Sequence, residues 1–355
     1  MISQSRPNLL AGLFLLLSVG FVCAQPAVEP PAGATPVSLD DLTRTVTEIL
    51  DELDARWGEP PSREELDRLN ELVLRIQAAD PASERVQYLY GRAWALMGRT
   101  GAAISSLQKY VDSRDGRNEW KAFRVLGDLF VDEFPRMALS NYEKAAALKP
   151  DEPTVLLGMS RGYHGVGERD KALDYAKRAV MADRGRYVRP VGHLAKMFAA
   201  NQQWSEADRT AMAALEKAQA QLQAEPGRRG ALILLQEQYD LLIGMLRTRL
   251  AAPGAGSDQY ARLGRFMRER ADTAAKLALY DVLSVINVGL RAFQPASADL
   301  LLEQAITLAE LDRRSDAIEV FEKVLSLDPD NSTAKDWLSR LRASTSAAAT
   351  TLSRP

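Results

Sequence analysis

The feature that most constrains this chain is a ladder of small residues that returns at a nearly fixed spacing. Four copies pair a small residue with an alanine 12 positions later: Gly91 with Ala103, Ser160 with Ala172, Ala195 with Ala207, and Ala305 with Ala317. A fifth copy, from Gly127 to Ala138, is one residue shorter. The alanines of the first four consecutive copies are therefore separated by 35, 34 and 35 residues. A period of this length is typical of an array of repeated structural units.

The residues between the ladder positions predict that each unit is a pair of helices. Apolar residues recur every three or four positions from Ser38 onward, and no clear period-two pattern of strands appears. Gly98 and Gly167 stand where a turn joins two helical segments. Small residues allow two helices to approach closely, and a neighbouring aromatic fills the gap beside them. The sequence therefore predicts an entirely helical body.

The ladder, the turn glycines and a recurring proline together resemble the tetratricopeptide repeat, whose period is 34 residues. The proline occurs in Leu148-Lys149-Pro150-Asp151 and again in Leu327-Asp328-Pro329-Asp330, as in the turn between repeats of that family. The resemblance covers about 84–222 and 298–329. It implies an all-α, right-handed superhelical solenoid of antiparallel helix pairs, closed by a C-terminal capping helix.

The predicted domain organisation follows from these patterns. It comprises a signal peptide (1–24), a Pro/Ala-rich linker (25–37), an N-terminal helical pair (38–80), about four tetratricopeptide repeats (81–224), degenerate helical repeats (225–296), a C-terminal repeat with its capping helix (297–343) and a disordered tail (344–355). The helix pairing within 229–295 is left open, because Ala251-Ala252-Pro253-Gly254 interrupts the pattern there.

The first segment indicates export to the periplasm or cell envelope. Arg6 precedes a short apolar stretch that ends in small residues near Ala24, which is the pattern of a secretory signal peptide. The stretch is shorter than the roughly 20 residues that a membrane-spanning helix needs. Cys23 offers an alternative, because a cysteine at this point can be lipidated, and membrane association is expected only in that case. Val22 is not the small residue that usually precedes a lipidated cysteine.

Composition excludes several classes of function. The chain has 45 Lys+Arg and 47 Asp+Glu, a formal charge of −2, so it has no overall attraction for nucleic acid. One cysteine and two histidines cannot supply a cysteine-based or histidine-rich metal site. The sequence accordingly predicts no catalytic site, no cofactor and no metal.

The resemblance also implies which side chains line the inner surface of the superhelix, since the first helix of each repeat faces inward. These positions are Arg85, Tyr88, Arg92, Lys121, Arg124, Asp128, Arg161, His164, Arg189, His193 and Lys196. Seven of the eleven are Lys or Arg and only Asp128 is acidic. Such a local excess attracts acidic side chains or a C-terminal carboxylate. The plain alternative is that these residues are the solvated polar faces of their helices.

These observations predict a non-enzymatic, exported scaffold that binds a protein or peptide in its concave groove. One alternative is an enzyme, or an enzyme-associated subunit, with a site in 229–295. Another is an envelope glycan-binding module, which would need exposed aromatic side chains where the groove offers chiefly Tyr88. The partner's identity and the oligomeric state are left open.

Overall fold

The computed structural model describes residues 38–56, 61–80, 83–251, 257–292 and 297–352. The predicted signal peptide, the predicted linker and Cys23 lie outside these residues. The described residues contain helices and turns but no strand. The prediction of an all-α fold is therefore confirmed.

Fifteen α-helices follow one another in the described part of the chain. They are α1 (Leu39–Ala55), α2 (Arg63–Ala79), α3 (Glu84–Leu96), α4 (Thr100–Asp112), α5 (Trp120–Phe130), α6 (Pro135–Leu148), α7 (Pro153–Gly165), α8 (Arg169–Asp183), α9 (Val188–Ala200), α10 (Trp204–Ala224), α11 (Arg229–Leu250), α12 (Ser257–Ala292), α13 (Ala298–Glu310), α14 (Arg314–Leu327) and α15 (Ser332–Leu352). Each helix packs against its neighbours in sequence, most extensively within the pairs α3/α4, α5/α6, α7/α8 and α9/α10. The helix pairs therefore stack in sequence order.

The ladder residues lie at the helix contacts, as the sequence predicts. A Cβ on Gly91 of α3 would be 2.3 Å from the Leu107 Cγ of α4, so only glycine lets these two helices approach this closely. Ala103, Ala172 and Ala207 are fully buried. The small residues thus set the spacing within each pair.

Tyr142 of α6 joins one helix pair to the next. Its ring is fully buried beside two glycines, Gly127 of α5 and Gly158 of α7. A Cβ added at Gly127 would be 2.5 Å from the Tyr142 Cε1, and one added at Gly158 would be 2.3 Å from the same atom. The hydroxyl donates a 2.7 Å hydrogen bond to Asp128 Oδ1. One aromatic side chain therefore packs against both repeats.

The turn inside four of the helix pairs has a left-handed backbone at one position. Gly98 and Gly167 occupy it with φ of 71° and 86°. Gln202 and Asp312 occupy the corresponding positions with φ of 59° and 62°. A side chain in this conformation costs about 1 kcal/mol or more relative to glycine. The same turn is therefore made at all four positions, with strain at two of them.

The stretch 229–295, for which the sequence leaves the pairing open, forms one long helix pair in its described part. Leu242 and Leu246 of α11 are buried in a cluster with Phe266 of α12. Further along α12, Leu283 is buried in a different cluster with Leu308 of α13. The 36-residue α12 therefore packs first against α11 and then against the C-terminal repeat.

Helices α1 and α15 cover the two ends of the described stack. Val46 and Leu50 of α1 are buried with Val73 of α2 and Leu89 of α3, which fits the predicted N-terminal helical pair. At the other end, Trp337 of α15 stacks on Phe321 with ring centroids 6.1 Å apart, which fits the predicted capping helix.

Helix α15 continues to Leu352, past the predicted end of the capping helix at 343. The disorder predicted for 344–355 stays a prediction. Alanine has the highest helix propensity of the amino acids, and the alanine-rich sequence of this segment favours continuation of the helix.

Candidate functional site

The predicted basic residues of α3 and α5 contact two carboxylates of the N-terminal helix α1. Arg92 Nη2 lies 2.6 Å from Asp54 Oδ2 and 3.1 Å from Asp51 Oδ1. Lys121 Nζ lies 2.7 Å from Asp51 Oδ1, and Arg124 Nη2 lies 3.1 Å from Asp54 Oδ1. We call these five residues the closed cluster. Three of the predicted groove cations therefore already have acidic partners within the chain.

Helical spacing explains how this cluster forms. Asp51 and Asp54 are three residues apart on α1, and Lys121 and Arg124 are three apart on α5, so each pair shares one helix face. Burial raises the pKa of the Asp51 carboxyl, but the hydrogen bond from Lys121 and the charge of Arg92 outweigh that effect. The pKa of Asp51 is therefore held below its ordinary value, and the carboxylate is charged at neutral pH.

Apolar packing, rather than the ion pairs, holds α1 in this position. Leu42, Val46, Leu50 and Leu53 are buried along one face of the helix. Burying each of these side chains is worth about 1.5–3 kcal/mol. The side chains of Lys121 and Asp51 are 24% and 48% exposed, and a partly exposed ion pair of this kind contributes about 0–1 kcal/mol. Helix α1 is therefore a fixed part of the fold.

The C-terminal end of α1 also contacts the fourth repeat. The Tyr187 hydroxyl, just before α9, donates a 2.8 Å hydrogen bond to the carbonyl oxygen of Ala55. Ala55 is the last residue of α1, where helix carbonyls have no partner within the helix. Helix α1 is thus tied to repeats that are far away in sequence.

Asp128, the acidic residue among the predicted inner positions, links α5 to α7. Its Oδ2 lies 3.0 Å from Arg124 Nη1, and its Oδ1 lies 3.6 Å from Arg161 Nη1. Arg161 Nη2 is also 3.6 Å from Asp132 Oδ1. The closed cluster therefore continues into a weaker, longer set of ion pairs at Arg161.

Four of the predicted inner residues of α7 and α9 form a second group, Arg161, His164, His193 and Lys196, which we call the open cluster. Ser160 Oγ donates to the Ala172 carbonyl at 2.6 Å and lies 2.8 Å from His193 Nε2. Because the single hydroxyl hydrogen goes to Ala172, His193 Nε2 carries a hydrogen and donates it to Ser160. This bond ties α9 to α7 within the open cluster.

Both histidines of the open cluster are shifted toward the neutral form. Burial, with the nearby charges of Lys196, Arg161 and His164, lowers the pKa of His193 to about 3. Burial, with the charges of Lys196 and Arg169, also lowers the pKa of His164. The His164 Nδ1 is buried and has no hydrogen-bond partner. The charges that add to the effect of burial are mainly those of cations, so the cluster favours the approach of negative charge.

The other predicted inner residues lie outside both clusters. Arg189 forms a bidentate ion pair with Glu237 of α11, with Nε 3.1 Å from Oε2 and Nη2 2.9 Å from Oε1. The Tyr88 ring stacks on Tyr110 with centroids 4.8 Å apart, and Arg85 is exposed. The structure thus does not bring all ten predicted site residues together.

Sequence reasoning missed the two residues that organise the closed cluster, Asp51 and Asp54. Their signal is the pair of acidic residues at a spacing of three on an amphipathic helix. That spacing places them on one face, but it does not say which distant cations they meet.

The Ser160 and His193 pair has the residue types of a nucleophile and its base, but its environment does not suit catalysis. Ser160 is fully buried, and its hydrogen is donated to a backbone carbonyl. An activated serine must instead be accessible and give its proton to the base. The pair is therefore a structural contact between helices.

Neither a metal site nor a membrane-spanning helix is found among the residues that the structure describes. Within those ranges, no three His, Cys, Asp or Glu side chains are grouped so that they could hold a metal ion. No helix in the same ranges combines the length and apolar character required to cross a membrane.

The helix pairs identify the kind of repeat. The ladder positions lie at the contacts within each pair, and the pairs recur at the 34–35-residue period of the sequence. The pairs have the fold of tetratricopeptide repeats. No family model matches the chain, and no curated protein matches it.

Solved structures of helical proteins resemble the chain at low identity, and one of them is described as a TPR protein. A thermophilic TPR protein of Thermus thermophilus is 18% identical, with a TM-score of 0.44 over 58% of this chain and 100% of that chain. MamA from Desulfovibrio magneticus is 17% identical, with a TM-score of 0.40 over 52% of this chain and 99% of that chain. The APC/C hetero-tetramer Cut9–Hcn1 matches at 15% identity and a TM-score of 0.39, over 87% of this chain and 57% of that chain.

Proposed function

We propose that the chain is an exported, non-enzymatic scaffold that binds an acidic segment of a protein partner on the inner face of its tetratricopeptide repeats. The observation that carries this proposal is the closed cluster, in which cations from two consecutive repeats already hold the carboxylates of a helix. The same surface chemistry continues into the open cluster.

Within the open cluster, Lys196 is the group best placed to receive a partner's carboxylate. Its side chain is exposed, and no ion pair to it is found among the described residues. Arg161, on the neighbouring first helix, has carboxylates only at 3.6 Å. A carboxylate approaching from a partner therefore meets two cations and two uncharged imidazoles.

The experiment is capture of partners by the full chain, tagged and crosslinked in its own host and analysed by mass spectrometry. The test variant is Arg161→Glu/Lys196→Glu. The control is Arg114→Glu/Arg136→Glu, which makes the same change of charge at two exposed residues outside both clusters. We expect the test variant to reduce recovery of a specific partner about tenfold or more while the control retains it. Equal recovery with both variants would contradict the proposed site.

Export is tested separately by sequencing the N-terminus of the mature protein. We propose that it begins at Gln25, after cleavage of the signal peptide. A Cys23→Ser variant is then expected to fractionate like the wild type. Loss of membrane association in this variant would instead support lipidation at Cys23.

A further inference from the structure

The two cation clusters of the inner face differ in the carboxylates of the chain that lie against them. In the closed cluster, Arg92, Lys121 and Arg124 face three carboxylates, those of Asp51, Asp54 and Asp128. The charges are therefore balanced, and an acidic segment gains no net attraction there.

Geometry adds to this balance of charge. The side chain of Arg92 is 4% exposed: its guanidinium contacts both carboxylates of α1 and lies 5.3 Å from the centroid of the Tyr88 ring. The shortest contacts from α1 to Arg92 and Lys121 are 2.6 Å and 2.7 Å, the range of strong charge-assisted hydrogen bonds. A partner's carboxylate would have to replace these bonds and also move a helix that is held by its buried apolar face.

We infer that Asp51 and Asp54 are a built-in ligand for Arg92, Lys121 and Arg124, and that they close this part of the inner face to acidic partners. The inference rests on the proposed function, because it concerns which part of the same surface remains available. It assigns α1 a role in selecting the footprint of the partner in addition to covering the end of the stack.

The spacing of the acidic residues supports this role. Asp51 and Asp54 project from one face of α1 at a separation of three residues, and Lys121 and Arg124 project from α5 at the same separation. The contacts join residues 38 to 70 positions apart in the chain. Helix α1 thus presents its carboxylates to the cations in the way that an external acidic helix would.

The test measures binding of a fluorescein-labelled peptide of ten glutamates to the full chain by fluorescence anisotropy at low salt. In Asp51→Asn/Asp54→Asn, the cations of the closed cluster lose two of their three opposing charges at nearly constant side-chain volume. We expect this variant to bind the peptide at least tenfold more tightly than the wild type. Adding Lys121→Ala/Arg124→Ala to it should remove the gain.

The matched control is Glu48→Gln. Glu48 is an exposed carboxylate one turn earlier on α1 and takes part in none of the contacts of the closed cluster. This variant changes the charge of the same helix away from the cations, and we expect less than a twofold change in affinity. A gain equal to that of the double variant would show a general charge effect and would overturn the inference.

Two further results would also overturn it. One is an Asp51→Asn/Asp54→Asn protein that folds, by circular dichroism, and binds the peptide no better than the wild type. The other is a tenfold loss of peptide binding when Lys121→Ala/Arg124→Ala is made in the wild type, with α1 unchanged. That loss would mean that these cations are already accessible. Arg161→Glu/Lys196→Glu in the same assay tests the proposed function independently, since it alters only the open cluster.

Discussion

Replacing Gly158 with alanine should destabilise the protein by overfilling the contact between two repeats. The new Cβ would lie 2.3 Å from the Tyr142 Cε1, whereas carbon atoms in contact are about 3.5–4.0 Å apart. The ring is fully buried, its hydroxyl is bonded to Asp128 at 2.7 Å, and Gly127 already lies beside the same ring edge. The ring therefore has little room to retreat.

The magnitude follows from two opposing effects. Overpacking of this kind costs about 1–3 kcal/mol. Replacing a helical glycine by alanine returns up to about 1 kcal/mol through helix propensity. We expect the net free energy of unfolding to fall by about 1–2 kcal/mol, measured by urea unfolding followed by circular dichroism.

The control is Gly244→Ala on α11, where the new methyl group would meet nothing within 4 Å. That variant should be as stable as the wild type or slightly more stable, because only the propensity effect applies. In a Tyr142→Leu background, Gly158→Ala should cost at least 1 kcal/mol less than in the wild type, since the ring that it meets is gone. If Gly158→Ala instead behaves like Gly244→Ala, the reasoning about the inter-repeat contact is wrong.

Three further predictions concern the turns, the partly buried His193 and the ladder. Gln202→Gly should raise the free energy of unfolding by about 1 kcal/mol, and with it the urea midpoint, by relieving a φ of 59°, while Gln203→Gly beside it should lower the midpoint. Because the folded-state pKa of His193 is about 3 and its ordinary value is 6.5, its contribution to stability is fully present above pH 6.5 and is lost as the pH falls toward 3. The unfolding free energy should therefore decline by up to about 1.4 kcal/mol per pH unit more in the wild type than in His193→Gln; equal slopes would contradict the neutral buried state. Ala207→Leu should cost about 1–3 kcal/mol at a fully buried helix contact, and thermal unfolding that matches the wild type would show that the site has spare volume.

The sequence by itself determined the repeated helix pairs, because the features that encode them are local. Apolar residues every three or four positions specify helices, and a small residue 11 or 12 positions before an alanine specifies how two consecutive helices meet. The place of the left-handed residue in the turn also follows from its position in the repeat, even though glycine occupies only two of the four such positions. These features reappear in each unit, so the period could be recognised along the chain.

Only the tertiary structure decided which inner-face cations already have partners. Arg92 meets Asp54 across 38 positions, and Arg124 meets the same carboxylate across 70, and neither separation is a feature of the repeat. Helix α1 lies against the inner face because its leucines and valine are buried beside α2 and α3, and that packing fixes where its carboxylates fall. The sequence determines which side chains are charged. Whether a cation meets a carboxylate within the chain depends on how the fold brings distant helices together.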